Sequence, residues 1–157
     1  MNFFTNFFTG LFLLIIFVGC SPLEEGENKP ANTIIDSDGV NVVLEWTTGG
    51  TVTESYQEAD LDLYIGTTNS AANAELKSTG YGFEQIEIGS IYADKTYYVM
   101  VKYFSGTARA DYTIYVQGLS PNGETLTYDG YFLSDDDGLI SQVITITKNQ
   151  DRYSIVD

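Results

Sequence analysis

The sequence predicts an all-β fold, an antiparallel β-sandwich of seven to eight strands that follows an N-terminal signal peptide. From residue 33 onward, short runs in which apolar and polar residues alternate are separated by Gly, Asn, Asp and Ser. Such runs are typical of half-buried strands joined by turns. The chain also contains 12 Tyr, a residue type that is enriched in strands. Many short strands with frequent turn signals are the pattern of a sandwich.

The predicted strands can be placed in order along the chain. Residues 96–104 (TYYVMVKYF) are apolar on both faces, which predicts a central strand. The other strands show period-two alternation, and the last of them is an added edge strand. They are 40–46 (VNVVLEW), 60–65 (DLDLYI), 83–88 (FEQIEI), 111–116 (DYTIYV), 124–130 (ETLTYDG), 141–147 (SQVITIT) and 152–156 (RYSIV). Residues 70–77 (SAANAELK) are the one segment where a helical turn or two is the alternative.

The N-terminus carries the pattern of an exported lipoprotein. Residues 1–19 contain no charged residue and end at Cys20, the only cysteine of the chain. An apolar N-terminal run that closes on a small residue is typical of a secretory signal peptide. The segment 17–20 (FVGC) resembles the lipobox of bacterial lipoproteins, in which signal peptidase cuts before a cysteine that then carries the lipid. The resemblance implies that Cys20 is the lipidated mature N-terminus; the alternative is an uncleaved membrane anchor.

Residues 20–32 are expected to tether the folded domain, which then spans 33–157. The segment after the cysteine, SPLEEGENKPAN, is polar and contains Pro, Gly and three Glu, a composition typical of a flexible linker. Fully extended, twelve residues reach roughly 40 Å. The acidic run also resembles the signal that sends some lipoproteins to the outer face of Gram-negative cells. This implies an outer-membrane lipoprotein exposed at the cell surface; the alternative is an ordinary solvated linker.

Composition excludes several classes of function. Seven basic and 22 acidic residues give a net charge of −15, which argues against nucleic acid and against flat contact with anionic lipid. The chain has no histidine, and its one cysteine is expected to be acylated, so Ser-His-Asp, Cys-His and histidine-ligated metal chemistry are excluded. We therefore predict a protein that is not an enzyme. The alternative is a cell-surface hydrolase that uses two of the many carboxylates.

The order of the strand-like runs in residues 40–117 resembles that of a known family of bacterial domains. The runs LEW, ADLDLYIG, FEQIEI, TYYVMVKYFSG and DYTIYV are similar to those of bacterial pre-peptidase C-terminal domains and related β-sandwich modules. In that family a D-x-D-L-Y strand is followed by Y-Y-V-x-V and Y-x-I/L-x-V strands. The resemblance implies a small jelly-roll-like sandwich that serves as an accessory or binding module, and some members bind calcium. Residues 118–157 lie beyond it.

Two aspartates stand in a strand where this residue type is depleted. Asp60 and Asp62 share one strand face, roughly 6.6 Å apart, and calcium prefers oxygen ligands. One hypothesis is that they bind one calcium ion, with Glu58 or with Asp36 and Asp38 of the DSDG run (36–39) as further ligands. The alternative is a solvated strand face whose acids prevent edge-to-edge pairing. For the DSDG run and the DDDG run (135–138) the alternative is a turn.

Tyr98 and Tyr115 lie on the opposite strand parity to the apolar set. An exposed row of tyrosines can form a binding platform, whereas cross-strand packing is the alternative. Trp46 lies on the apolar parity of its strand and is predicted to be in the core. The sequence thus predicts a lipid-anchored, non-catalytic envelope β-sandwich that binds a polysaccharide, a protein partner or calcium, or has a structural role.

Overall fold

The computed structural model describes residues 29–157, so the signal peptide, Cys20 and residues 21–28 of the tether lie outside the described residues. Within the described range no helix is long and apolar enough to cross a membrane. Residues 29–157 form ten strands, one α-helix and one 3-10 helix. The strands are β1 (Thr33–Ile35), β2 (Gly39–Thr47), β3 (Ala59–Gly66), β4 (Leu76–Ser78), β5 (Glu84–Gly89), β6 (Thr96–Gly106), β7 (Ala110–Gly118), β8 (Thr125–Phe132), β9 (Ile140–Asn149) and β10 (Arg152–Val156). The helices are α1 (Val52–Glu58) and the 3-10 helix Ala71–Asn73.

The strands form two antiparallel sheets, which confirms the all-β sandwich. The six-stranded sheet has the order β1-β10-β9-β6-β3-β4, and the four-stranded sheet has the order β5-β2-β7-β8. The count of ten exceeds the predicted seven to eight because β1 and β4 have three residues each. A strand of three residues is too short to show a period-two pattern.

The core lies between the sheets and follows the alternation in the sequence. Leu61, Leu63 and Ile65 of β3 are completely buried, because every second side chain of a strand points to the same face. Trp46 is also buried, as predicted, and its indole Nε1 donates to the carbonyl oxygen of Ala59 at 3.0 Å. The indole thereby fixes the first residue of β3 against the core, next to Asp60.

Strand β6 is central, as its double-sided apolar pattern predicts. It lies between β3 and β9, and Met100 on its outward side is completely buried against Ala71 and Ala74. The 3-10 helix that carries Ala71 covers this part of the sheet. Of the segment 70–77, only Ala71–Asn73 is helical, because the chain then enters β4 and pairs with β3.

The helix α1 was not predicted and leads directly into β3. Its Thr51 N-cap forms a capping box with Glu54: the Glu54 amide donates to the Thr51 hydroxyl, and the Thr51 amide donates to the Glu54 carboxylate. This pairing satisfies amides that a helix start leaves without partners. Seven residues are too few for a clear helical period, so the pattern alone does not reveal it.

The last forty residues are part of the same sandwich. Strand β9 pairs with both β6 and β10 inside the six-stranded sheet, and β8 closes the four-stranded sheet at one edge. Residues 118–157, which lie beyond the resemblance to pre-peptidase C-terminal domains, therefore supply a strand inside the six-stranded sheet. The residues just before β1 also contact the sandwich. The Ile155 amide donates to the carbonyl oxygen of Asn32, and Lys29 forms an ion pair with Glu124.

Candidate functional site

A depression of about 270 Å³ lies beside the outward side of β3. Because Leu61, Leu63 and Ile65 point into the core, the residues between them point the other way. The second wall comes from the loop after β4 and from β6. We call this depression the acidic groove; it is lined by Asp60, Asp62, Tyr64, Thr79, Gly80, Tyr81 and Phe104.

Asp62 is the more deeply buried aspartate of the groove. It is 3% exposed, and the Tyr64 hydroxyl donates to its Oδ2 at 2.8 Å. Burial of the phenol, the hydrogen bond to Asp62 and the negative charge of that carboxylate raise the pKa of Tyr64 to about 12. Lys102 is the cross-strand neighbour of Asp62 on β6. Its ammonium lies over the ring of Phe104, 4.8 Å from the ring centroid.

Asp60 has a carboxylate oxygen with an unmet hydrogen bond. Its Oδ1 is buried and has no hydrogen-bond partner. Burial, followed by the negative charge of Asp62, raises the pKa of Asp60. The register with β6 shifts between Asp60 and Leu61, and irregularities of this kind re-aim a side chain. A buried acceptor without a partner is unfavourable, so a cation or a hydrogen-bond donor would stabilise this oxygen.

A third carboxylate, Glu84, lies near the two aspartates and was missed by the sequence prediction. It is 2% exposed and accepts hydrogen bonds from the Ser78 hydroxyl and, at 2.8 Å, from the Gly80 amide. Burial raises the pKa of Glu84, the two hydrogen bonds lower it, and the charges of Asp62 and Asp60 raise it again. The signal was present in the sequence, because Glu84 shares the parity of the two apolar isoleucines in FEQIEI.

The other predicted metal ligands do not meet at the groove. The Glu58 carboxylate accepts from the Thr48 hydroxyl at 2.7 Å. Asp36 accepts hydrogen bonds from its own turn and from Ser120, and Asp38 is exposed in that turn. Within residues 29–157, no three His, Cys, Asp or Glu side chains converge as a group that could hold a metal ion. Of the predicted ligands, the structure thus brings together only Asp60 and Asp62 at the groove.

The two predicted ligand-binding tyrosines belong to different sheets. Tyr98 is half-buried on the outward side of β6 and packs against Met100 and its neighbours Ala71 and Ala74. Tyr115 is half-buried on the outward side of β7, in the four-stranded sheet. Because the outer faces of a sandwich point in opposite directions, these two rings do not share one binding platform.

The fold and the acidic groove together define an all-β sandwich with a carboxylate-rich depression between aromatic side chains. No family model, no curated protein and no solved structure matches this chain. Because one sandwich architecture serves many unrelated functions, the function of this chain depends on the chemistry of its site.

Proposed function

We propose that this protein is a lipid-anchored, non-catalytic binding module of the bacterial outer membrane, and that the acidic groove is its ligand site. The observation that carries the proposal is the buried, unpartnered Oδ1 of Asp60 beside the buried carboxylate of Asp62. The rings of Tyr81 and Phe104 at the groove are 92% and 51% exposed. Exposed aromatic rings beside carboxylates provide both apolar surface and charge for a bound ligand.

Calcium is the cation that this groove suits first. Carboxylate oxygens are its preferred ligands, and its coordination is flexible enough to include several water molecules. Two aspartates from one strand would supply the charged ligands. In a chain of net charge −15, a divalent cation would also reduce the repulsion between Asp60 and Asp62. The resemblance to pre-peptidase C-terminal domains, some of which bind calcium, is consistent with this choice.

Millimolar calcium is expected to raise the melting temperature by several degrees. A ligand that binds only the folded state stabilises it by about 2.7 kcal/mol at one hundred times its dissociation constant, and in a domain of this size that corresponds to a shift on the order of several degrees. EDTA should reverse the shift, and magnesium should do less because it dehydrates reluctantly. The measurement is a thermal melt followed by circular dichroism.

The matched variants for this experiment remove equal charge at two places. Asp60→Asn with Asp62→Asn should abolish the calcium shift while the β-sheet spectrum is retained. Asp135→Asn with Asp137→Asn changes two exposed aspartates of the DDDG run and should leave the shift intact. A melting temperature that calcium does not change, or a shift that both double variants lose equally, would contradict the proposed cation site.

A carboxylate-based hydrolase is the second candidate function. The observation that favours it is a pair of carboxylates in one groove, of which Asp60 has a raised pKa and Asp62 accepts a hydrogen bond from Tyr64. Two carboxyl groups in different environments can divide the roles of acid and base between them. New reducing ends released from a polysaccharide by the wild type, and lost in Asp60→Asn, would favour this candidate over the binding module.

The proposed lipid anchor predicts that the single substitution Cys20→Ser changes the processing of the protein and its partitioning into detergent. Cys20→Ser is expected to prevent cleavage and lipidation, because the thiol is the atom to which the lipid would be attached. The wild type should partition into the detergent phase with a mass that includes a lipid and starts at Cys20, whereas the variant should keep residues 1–19. Ser21→Ala serves as the control and should behave as the wild type. Equal partitioning and equal mass of the Cys20 variant and the wild type would rule out the lipoprotein.

A further inference from the structure

The outer face of the four-stranded sheet carries three adjoining depressions of about 360, 180 and 380 Å³. The first two share Thr47, Asp111 and Thr113, and the second and third share Glu45 and Tyr115. Because neighbouring depressions share lining residues, they form one continuous depression along the surface of the sheet. We call it the sheet trough, lined by outward side chains of β2, β7 and β8.

The sheet trough has the dimensions of a site for an extended ligand. Along β7 it runs from Asp111 to Gln117, which is about 20 Å at 3.3 Å per residue. Its side chains stand on three hydrogen-bonded strands in regular register. Sites built on strands hold their groups more rigidly than sites on loops, so the trough presents a preformed surface to a chain molecule.

Hydroxyl, amide and carboxylate groups line the trough beside aromatic rings, and several of the polar groups are oriented by one another. The Thr113 hydroxyl donates to Asp129 Oδ1 at 2.6 Å. Arg109 donates to Asp111 through Nε and Nη2, and its guanidinium lies 4.2 Å from the centroid of the Tyr131 ring. Carboxylates accept hydrogen bonds only, whereas hydroxyls donate and accept. Such a row matches a ligand with many hydroxyl groups, and the Tyr115 ring offers a flat apolar surface for the C–H face of a sugar ring.

The free acceptors of the trough point to the same ligand chemistry. Glu45 and Gln117 line the trough, and both side chains are exposed. Asn41 is the cross-strand neighbour of Gln117, and its Oδ1 is buried without a hydrogen-bond partner. Water occupies the exposed acceptors when no ligand is bound, and the hydroxyl groups of a polyhydroxylated chain can replace that water as donors.

The charge of the trough determines which polyhydroxylated ligands it can bind. Glu45, Asp111 and Asp129 line the trough, and the Arg109 guanidinium beside Asp111 is paired with that carboxylate. Together with the net charge of −15, this repels acidic polysaccharides and other polyanions. We propose that the outer face of the four-stranded sheet binds an extended neutral polysaccharide along the sheet trough. The inference rests on the proposed role as a binding module, but it places the ligand on the sheet opposite the acidic groove.

Affinity electrophoresis of the mature, detergent-solubilised protein tests this site. Native gels would contain galactomannan, arabinoxylan free of uronic acid, a mixed-linkage β-glucan or soluble starch as neutral probes, and polygalacturonate as the acidic probe. The wild type should be retarded by at least one neutral probe and not by polygalacturonate. Tyr115→Ala should weaken that binding about tenfold or more, as truncation of an aromatic anchor does. Gln117→Ala changes an exposed side chain, so it gives a second test if Tyr115→Ala fails to fold.

The control variant is Tyr98→Ala, which truncates a half-buried tyrosine on the opposite sheet and should bind as the wild type does. Absence of retardation by all four neutral probes, equal retardation by polygalacturonate, or an equal loss in Tyr98→Ala would each overturn the inference. Retardation that survives in Tyr115→Ala and Gln117→Ala but is lost in Asp60→Asn would also overturn it and assign the polysaccharide to the acidic groove. If a neutral polysaccharide binds in the trough but calcium does not shift the melting temperature, the inference is supported and the proposed cation site is contradicted.

Discussion

Replacing Phe132 with alanine is expected to lower the free energy of unfolding by about 3–5 kcal/mol, the range for truncation of a buried aromatic ring. Phe132 is the last residue of β8 and is 1% exposed. Its ring lies 5.7 Å from that of Tyr103 in the six-stranded sheet and 5.5 Å from that of Tyr112 in the four-stranded sheet, measured between centroids. The variant would therefore leave a cavity between the sheets, which chemical denaturation should detect as a lower midpoint.

Phe104→Ala is the matched control for that experiment. Phe104 is 51% exposed on the outward side of β6 and its ring contacts the Lys102 ammonium, so its truncation is expected to cost no more than about 1 kcal/mol. The same chemical change is then compared in the core and at the surface. An equal loss of stability in Phe104→Ala and Phe132→Ala would contradict the position of the core between the two sheets.

Asp36→Ala is expected to cost on the order of 3 kcal/mol, because it removes the acceptor of four hydrogen bonds at a buried position. The Asp36 carboxylate accepts from the amides of Asp38 and Gly39, and from the amide and hydroxyl of Ser120. It thereby fastens the turn between β1 and β2 to the loop after β7. Asp38→Ala changes an exposed aspartate of the same turn and should leave the unfolding midpoint nearly unchanged.

The contribution of Asp36 is expected to depend on pH. Burial raises the pKa of its carboxyl group, but the hydrogen bonds from Ser120, Asp38 and Gly39 together outweigh burial and lower it below the ordinary 3.8. A carboxyl group with a lowered folded-state pKa stabilises the fold above its unfolded pKa and loses this effect as pH falls through the folded pKa. The stability difference between wild type and Asp36→Ala should thus be constant near neutral pH and shrink below about pH 4. A difference that grows on acidification would contradict this role.

The acidic groove was only partly predictable from the sequence. That Asp60 and Asp62 share a face follows from strand geometry alone, and the structure confirms it. Glu84 lies more than twenty positions along the chain, in the other sheet, and comes near them because β4 and the loop after it carry the chain across. Glu58 is close in sequence but ends helix α1, and its carboxylate binds Thr48. Nearness in sequence therefore did not predict nearness in the site.

The sequence by itself determined that this protein is all-β and which side chains face inward, because the two faces of a strand alternate with a period of two that can be read locally. The tertiary structure decided which strands are neighbours. Only hydrogen bonding between distant segments places β9 between β6 and β10, adds the three-residue strands β1 and β4, and puts β5 in the sheet opposite β4. It also decided that Tyr98 and Tyr115 face opposite sides of the molecule, since parity indicates inward or outward but not the sheet to which a strand belongs.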